Sequence, residues 1–574
     1  MGARARKPRP WWASRVAWIR LASAGLLLVG LGLYLDNLAP GQISLPLTPL
    51  VVDARLPLLE ALPLQPGTFA GRNLLLVTMD TTRPDRLGLY GNSEIETPNL
   101  DHFAARNSVF TRALAATPIT LPSHASILTG LYPHRHGVRS NGLAPLEDGQ
   151  TTLAEVLSRY GYDTAAFVSS FVLAEQFGLA QGFNRYDDET HEKAVVMGYA
   201  ERRADATTAR ALSWLLRSRD TPFFLWVHYY DPHATYQPPE FFEESSANAY
   251  DGELAFIDQQ VGRLFEGVSA ASEEDALVIV TADHGEGFGE HGEQSHGLLV
   301  QEATLRIPLI IGSTGGIATP SQINELVSHV DLMPTVLSLL DLPQPKGLDG
   351  IDLTRAAKPG RIVLAESHYG QASYGWARLA AIYQSSLKYV DGPNPELYDL
   401  ATDPKERHNL FLESTEEAER LRELLLEARG PAADTLVSSS RELDRESVEK
   451  LEALGYVVPR HDTAQNSREA LDPKLMVPKL TEMLMLLTGL EHRHEVPDWA
   501  LPVLIALGRA LPRDEPELLL ALEEFASAEP NFAPVHQQLA EFYRRSGRLE
   551  SAAASRLRFE QLVGSSSSPP PSNP

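Results

Sequence analysis

"NLLLVTMD", Asn73–Asp80, is an apolar run that closes on an acid. It shows no polar alternation, so both of its faces must be buried, as in a parallel strand covered by helices. Working outward, "TAAFVS" (164–169), "FFLWVHY" (223–229), "ALVIV" (276–280) and "PLIIG" (308–312) repeat the pattern, with helical stretches between them. The expected fold is α/β, with a mostly parallel central sheet sandwiched by helices. It occupies residues 70–412, and an all-α region follows.

Ligands of open parallel sheets gather beyond the carboxyl ends of the strands. Asp80 follows the first run, His228, Asp231 and His233 the third, Asp283 and His284 the fourth. The densest signal is "TADHGEGFGEHGEQSHG", Thr281–Gly297, where glycines allow close backbone approach and His284, His291 and His296 stand among carboxylates. Asp oxygens with a His nitrogen suit one divalent cation, Ca²⁺, Mn²⁺, Zn²⁺ or Mg²⁺. "TPITLPSHASILTG", Thr117–Gly130, reads as a loop entering a helix. Pro122 is expected in the first turn, pushing Leu121 out of helical geometry. Thr120 then lies just outside a helix N-terminus, where N–H groups and the dipole favour an anion. Local physics allows both a cap and a nucleophile.

The chain of 574 residues suggests two or three domains. A net charge of -25 argues against nucleic acid as a partner. There is no cysteine, which excludes thiolate nucleophiles and Cys-based zinc sites. Arg4, Arg6, Lys7, Arg9, Arg15 and Arg20 crowd a start that continues as an apolar run from Val16 to Leu35. Residues 1–36 are therefore expected to be a cytoplasmic basic segment and one transmembrane signal anchor, with a cleaved signal peptide as the alternative. The protein is expected to be single-pass, with its catalytic domain on the extracytoplasmic (periplasmic) side. Residues 37–69 read as a Pro-rich linker.

Residues 413–460 read as a helical linker, with a capping-box pattern from Ser414 to Glu417. In 461–563, Leu539, Ala540, Tyr543, Gly547 and Ala552 stand at offsets resembling a tetratricopeptide unit, a helical surface that would suit a protein partner. A plain helical hairpin fits equally. The tail 564–574 is expected to be disordered.

"MDTTRPDRLGLYGN", "TPNLD", "TLPSHASILTGLYPHRHGVRSN", "HYYDPHATY", "DHGEGFGEHGEQSHG", "RIPLIIG" and "ELYDLATDPKERHNL" together resemble the sulfatase branch of the alkaline phosphatase superfamily. That resemblance implies a metal held at Asp80, Thr120, Asp283 and His284, and it puts Thr120 where sulfatases carry the residue that matures to formylglycine. A threonine oxidises to a ketone, so no formylglycine is expected. His124 stands in place of a sulfatase arginine, and His296 in place of a frequent lysine. His233 and His296 are expected to hold nonbridging oxygens or protonate the leaving group. His136, Arg139 and His124 are candidates to bind the anion. The expected activity is hydrolysis of a phosphate or sulfate ester through a covalent threonine intermediate, with phosphoryl preferred for its charge. The alternatives are phosphoethanolamine- or phosphoglycerol-type transfer to an envelope acceptor, and an inactive scaffold.

Overall fold

The computed structural model describes residues 58–59, 61–190, 201–217, 219–356, 359–431, 433, 443–454, 471–478, scattered positions from 523 to 544, and 548–565. The expected membrane anchor and most of the tetratricopeptide-like region lie outside the described residues. Among the described residues no helix is long and apolar enough to cross a membrane.

The quoted run forms β2 (Leu74–Met79), at the centre of the main sheet. The strands are β1 (Leu58–Leu59), β3 (Ser108–Leu114), β4 (Asp163–Phe167), β5 (Arg185–Asp187), β6 (Phe223–Tyr229), β7 (Leu277–Ala282), β8 (Arg306–Ile307), β9 (Leu309–Ser313) and β10 (Ser321–Ser328), in the order β1-β10-β3-β9-β7-β2-β6-β4-β5, with β8 on β3. All pairings are parallel except those of β9 and β8. Leu75, Val77 and Met79 face one apolar cluster, Leu74 and Leu76 the other, which is why β2 shows no polar alternation.

The helices of more than six residues are α1 (Pro98–Ala104), α2 (Thr120–Thr129), α3 (Leu153–Arg159), α4 (Ala204–Leu215), α5 (Ala249–Ala270), α6 (Leu332–Leu339), α7 (Thr415–Arg429), α8 (Arg445–Ala453) and α9 (Leu549–Ser565). α1, α4 and α5 cover one face of the sheet, and α2 and α6 the other.

The structure differs from the sequence reading in several places. Part of the expected linker belongs to the core: β1 pairs with β10, and Leu62, Leu64 and Phe69 are buried. A second, antiparallel sheet, β11 (Ile362–Ser367), β12 (Leu379–Gln384), β13 (Leu387–Asp391) and β14 (Glu396–Asp399), was not expected. α7 packs on it through Ala418, Leu421 and Leu425, so the chain past residue 412 stays attached to the domain. Ser414 precedes α7 but makes no side-chain cap bond.

Candidate active site

The register of the central strands sets the level of the site. Met79 is paired with both Tyr229 and Ala282, so β2, β6 and β7 end flush and Asp80 and Asp283 emerge side by side. Ligand atoms of Asp80, Asp283 and His284 lie within 4.8 Å of one another, and all three residues are buried.

α2 delivers the hydroxyl. Thr120 is the first helical residue rather than a residue outside the helix, and Leu121 is helical despite the proline after it. Proline is tolerated there because a first-turn N–H has no intrahelical partner to lose. The Leu121 N–H instead donates to Asn141 Oδ1 at 3.0 Å. The Thr120 hydroxyl is hydrogen-bonded to Asp80, and its Oγ1 is 3.3 Å from His284 Nε2.

Tautomers follow from the backbone. His284 Nδ1 faces the Gly285 carbonyl at 2.9 Å, so it carries the proton and Nε2 presents a lone pair toward Thr120. His228 Nδ1 accepts from the Ser169 N–H, and its Nε2–H donates to Asp80 Oδ2 at 3.3 Å. Burial holds His284 and His228 well below the usual imidazole range, so both are neutral. Burial, with Asp283 and Glu286 nearby, pushes Asp80 well above the usual carboxylate range, and burial also raises Asp283.

The buried oxygens Asp80 Oδ1 and Asp283 Oδ2 have no hydrogen-bond partner. Two orphaned carboxylate oxygens beside an imidazole lone pair are what a divalent cation would satisfy, so the residues fit the metal implied by the sequence.

Two of the expected histidines stand around this floor. His296 is 4.3 Å from His284 between ring centroids and 5.0 Å from His233. His296 Nδ1 donates to Glu286 Oε1 at 3.1 Å, and Glu286 also accepts from the Tyr236 hydroxyl at 3.1 Å. His233 Nδ1 donates to its neighbour's carbonyl at 2.7 Å, and its ring stacks on Tyr230.

Three expected anion-binding residues are engaged with the protein instead. His124 lies beneath Thr120: Nδ1–H donates to the Thr120 carbonyl at 2.8 Å, and Nε2 accepts from Thr78 Oγ1 at 3.0 Å. Trp226 Nε1–H donates to the same Thr78 oxygen at 3.0 Å, completing a buried relay. His136 accepts from the Val138 N–H and bonds Ser126 Oγ at 3.0 Å. Arg139 donates to His368 Nε2 at 2.8 Å and to the Ala433 carbonyl, 3.6 Å from Glu366. His291 turns away to the Lys405 carbonyl.

The sequence reading missed Glu286 and Asn141 and gave His228 no role. His228 carried a signal in its position at the end of β6. Asn141 had none, yet its Nδ2 is a buried donor without a partner beside the start of α2.

Residues 72–342 match the family described as Sulfatase, and 289–429 match the C-terminal part of N-sulphoglucosamine sulphohydrolase. Over residues 72–342 the chain is similar to the sulfatase family. The uncharacterized sulfatase YidJ of Escherichia coli is 26% identical, covering 59% of this chain and 83% of its own. An arylsulfatase of Clostridium perfringens is 24% identical, covering 61% and 92%. Among solved structures, the phosphonate monoester hydrolase of Agrobacterium radiobacter superposes with a TM-score of 0.54 at 23% identity, covering 65% of this chain and 98% of that one. The chain is a sulfatase-like ester hydrolase, and its fold is that of the superposed structures.

Proposed function

We propose that Thr120 is the nucleophile of a metal-dependent hydrolase acting on singly charged esters: sulfate monoesters, phosphonate monoesters or phosphate diesters. The observation that carries the proposal is the convergence of Thr120 Oγ1 with Asp80 and His284, beside two orphaned carboxylate oxygens. Asp80, Asp283, His284 and Thr120 would hold the metal, which when bound supplies positive charge to the hydroxyl and the ester oxygen.

The chain's own residues do the rest. Asp80, hydrogen-bonded to the Thr120 hydroxyl, takes its proton as the oxygen attacks and returns it when the threonine is displaced. The threonine oxygen attacks sulfur or phosphorus in line with the leaving alcohol, and the bond to that alcohol breaks. His296, oriented by Glu286, or His233 protonates the departing oxygen. Water then displaces threonine from the opposite side, releasing the acid and restoring the hydroxyl.

Charge decides the substrate class. Arg83 is bound to Asp85 and Glu290, and Arg139 to the Glu366 cluster, while His124, His228 and His284 are held neutral. A dianionic phosphate monoester would face two carboxylates with the metal as its main counter-charge, so a monoanion is better matched. This reverses the phosphate-monoester preference drawn from sequence. We further propose that the apolar run Val16–Leu35 anchors the domain on the extracytoplasmic side, supported by the arginines before it. Protease accessibility in intact spheroplasts tests that topology.

The deciding experiment incubates the purified protein with aryl sulfate, phosphonate, phosphodiester and phosphomonoester across a metal series, beside Thr120→Ala. A covalent mass increment on Thr120 supports the reading, and equal turnover by Thr120→Ala overturns it.

A further inference from the structure

The family matches end at Arg429, yet from there on the chain packs back on the domain in three places. Arg429 donates to Glu366 at 3.1 Å, and the Ala433 carbonyl accepts from Arg139. α8 lies so close to Gly142 that a Cβ there would be 2.5 Å from Leu451 Cδ1. The third segment, residues 471–478, docks on the active-site loop itself.

This docking is specific. The Leu471 carbonyl accepts from the Ala377 N–H at 2.8 Å. The Asp472 carboxylate accepts from the backbone and side-chain nitrogens of Asn394 at 3.0 and 2.9 Å, and from the Lys474 N–H at 3.0 Å. Met476 and Val477 are buried in the apolar cluster that holds Leu298 and Leu299. Pro478 then rests on Gly292, where an added Cβ would meet Pro478 Cγ at 2.8 Å.

Gly292, at φ 85°, sits inside Gly285–Gly297, the loop that carries Glu286 and His296. The loop is pinned across its own width by Gly287 N–H to the Ser295 carbonyl at 2.8 Å and Gly289 N–H to Glu293 at 2.9 Å. A displacement at Gly292 is therefore passed to both sides. So glycine-rich a segment has much conformational entropy to lose, and an external contact that orders it lowers the cost of presenting His296 correctly.

We propose that Leu471–Pro478 is a strap that fixes the Gly285–Gly297 loop, making it a positioning element of the active site although it lies outside the family region. The proposal rests on the reading of His296 as proton donor to the leaving group. A misplaced donor penalises poor leaving groups and spares good ones, whereas a lower folded fraction slows all substrates alike.

The test compares kcat/KM of the full metal-loaded chain on the phenyl and 4-nitrophenyl members of the ester class it turns over. Asp472→Ala and Pro478→Gly are expected to lose about 10-fold on the phenyl ester and less than about 2-fold on the 4-nitrophenyl ester. Asp472→Asn, which keeps an acceptor oxygen, is expected to recover most of the phenyl rate. His296→Ala should show the same selectivity, only larger. If His296→Ala is selective and the strap variants lose both substrates equally or neither, the strap proposal is overturned. If His296→Ala loses both equally, the proton-donor reading falls and takes the strap's role with it.

Discussion

Thr120 Oγ1 lies 3.3 Å from His284 Nε2, while the other ring nitrogen of His284 is held by the Gly285 carbonyl. The imidazole thus presents its lone pair in one direction only, toward the hydroxyl and the two carboxylates. Removing the hydroxyl should leave the fold intact and abolish chemistry. Thr120→Ala is expected to fall by at least about 10³-fold in kcat, whereas Thr120→Ser, which keeps an oxygen, retains measurable turnover. Steady-state kinetics with mass spectrometry of the quenched enzyme checks this.

The relay from Trp226 through Thr78 and His124 ends on the Thr120 carbonyl. On the proposed mechanism it orients the backbone of Thr120. His124→Phe is expected to lower kcat by about 10- to 100-fold with little change in KM, the signature of a misoriented group. A rise in KM with unchanged kcat would instead return His124 to the anion-binding role expected from sequence.

Asn141 spends its oxygen on the Leu121 N–H and keeps a buried N–H donor beside the start of α2. A nonbridging ester oxygen is its natural acceptor. Asn141→Ala is expected to cost about 10²-fold in kcat/KM. Asn141→Asp should cost more, since its carboxylate meets the anion. Equal activity of all three proteins would rule the contact out.

Glu366 holds Arg139, Arg429, His134 and His368 together. Burial works against its charge, but the surrounding imidazoles and the Arg429 and Arg139 guanidiniums hold its carboxyl down to about 2 from an ordinary 4.5. A depressed carboxyl stabilises the fold above the unfolded value and ceases to do so as pH falls toward the folded one. Glu366→Gln should therefore destabilise by about 3 kcal/mol at neutral pH, leaving two buried guanidiniums unmatched. The gap to wild type should narrow from pH 4.5 downward. Urea unfolding of both proteins between pH 3 and 7 measures it.

What could be read in advance followed burial. β2, β6, β7 and β9 are covered on both faces, so their runs are uninterrupted and visible. β3 carries Thr111 and Arg112 half-exposed in its middle, and β10 reads "SQINELVS", so neither stood out. The antiparallel sheet is made of strands of four to six residues, which resemble loop. Asp80, Asp283 and His284 were found because strand ends locate them. The protein contacts of His136 and Arg139 could not be foreseen, because a side chain offered to a ligand and one bonded to Ser126 or His368 look alike in one dimension. Asn141 passed unseen because its meaning lies in a nitrogen left over after the oxygen is used.

Thr120 is fully enclosed, while His233 and His296 keep a few per cent of their surface in contact with water. On the proposed mechanism, the reacting oxygen is therefore more deeply enclosed than the two imidazoles near it. An ester that reaches it would lead with its charged end and leave its alcohol trailing toward His233 and His296.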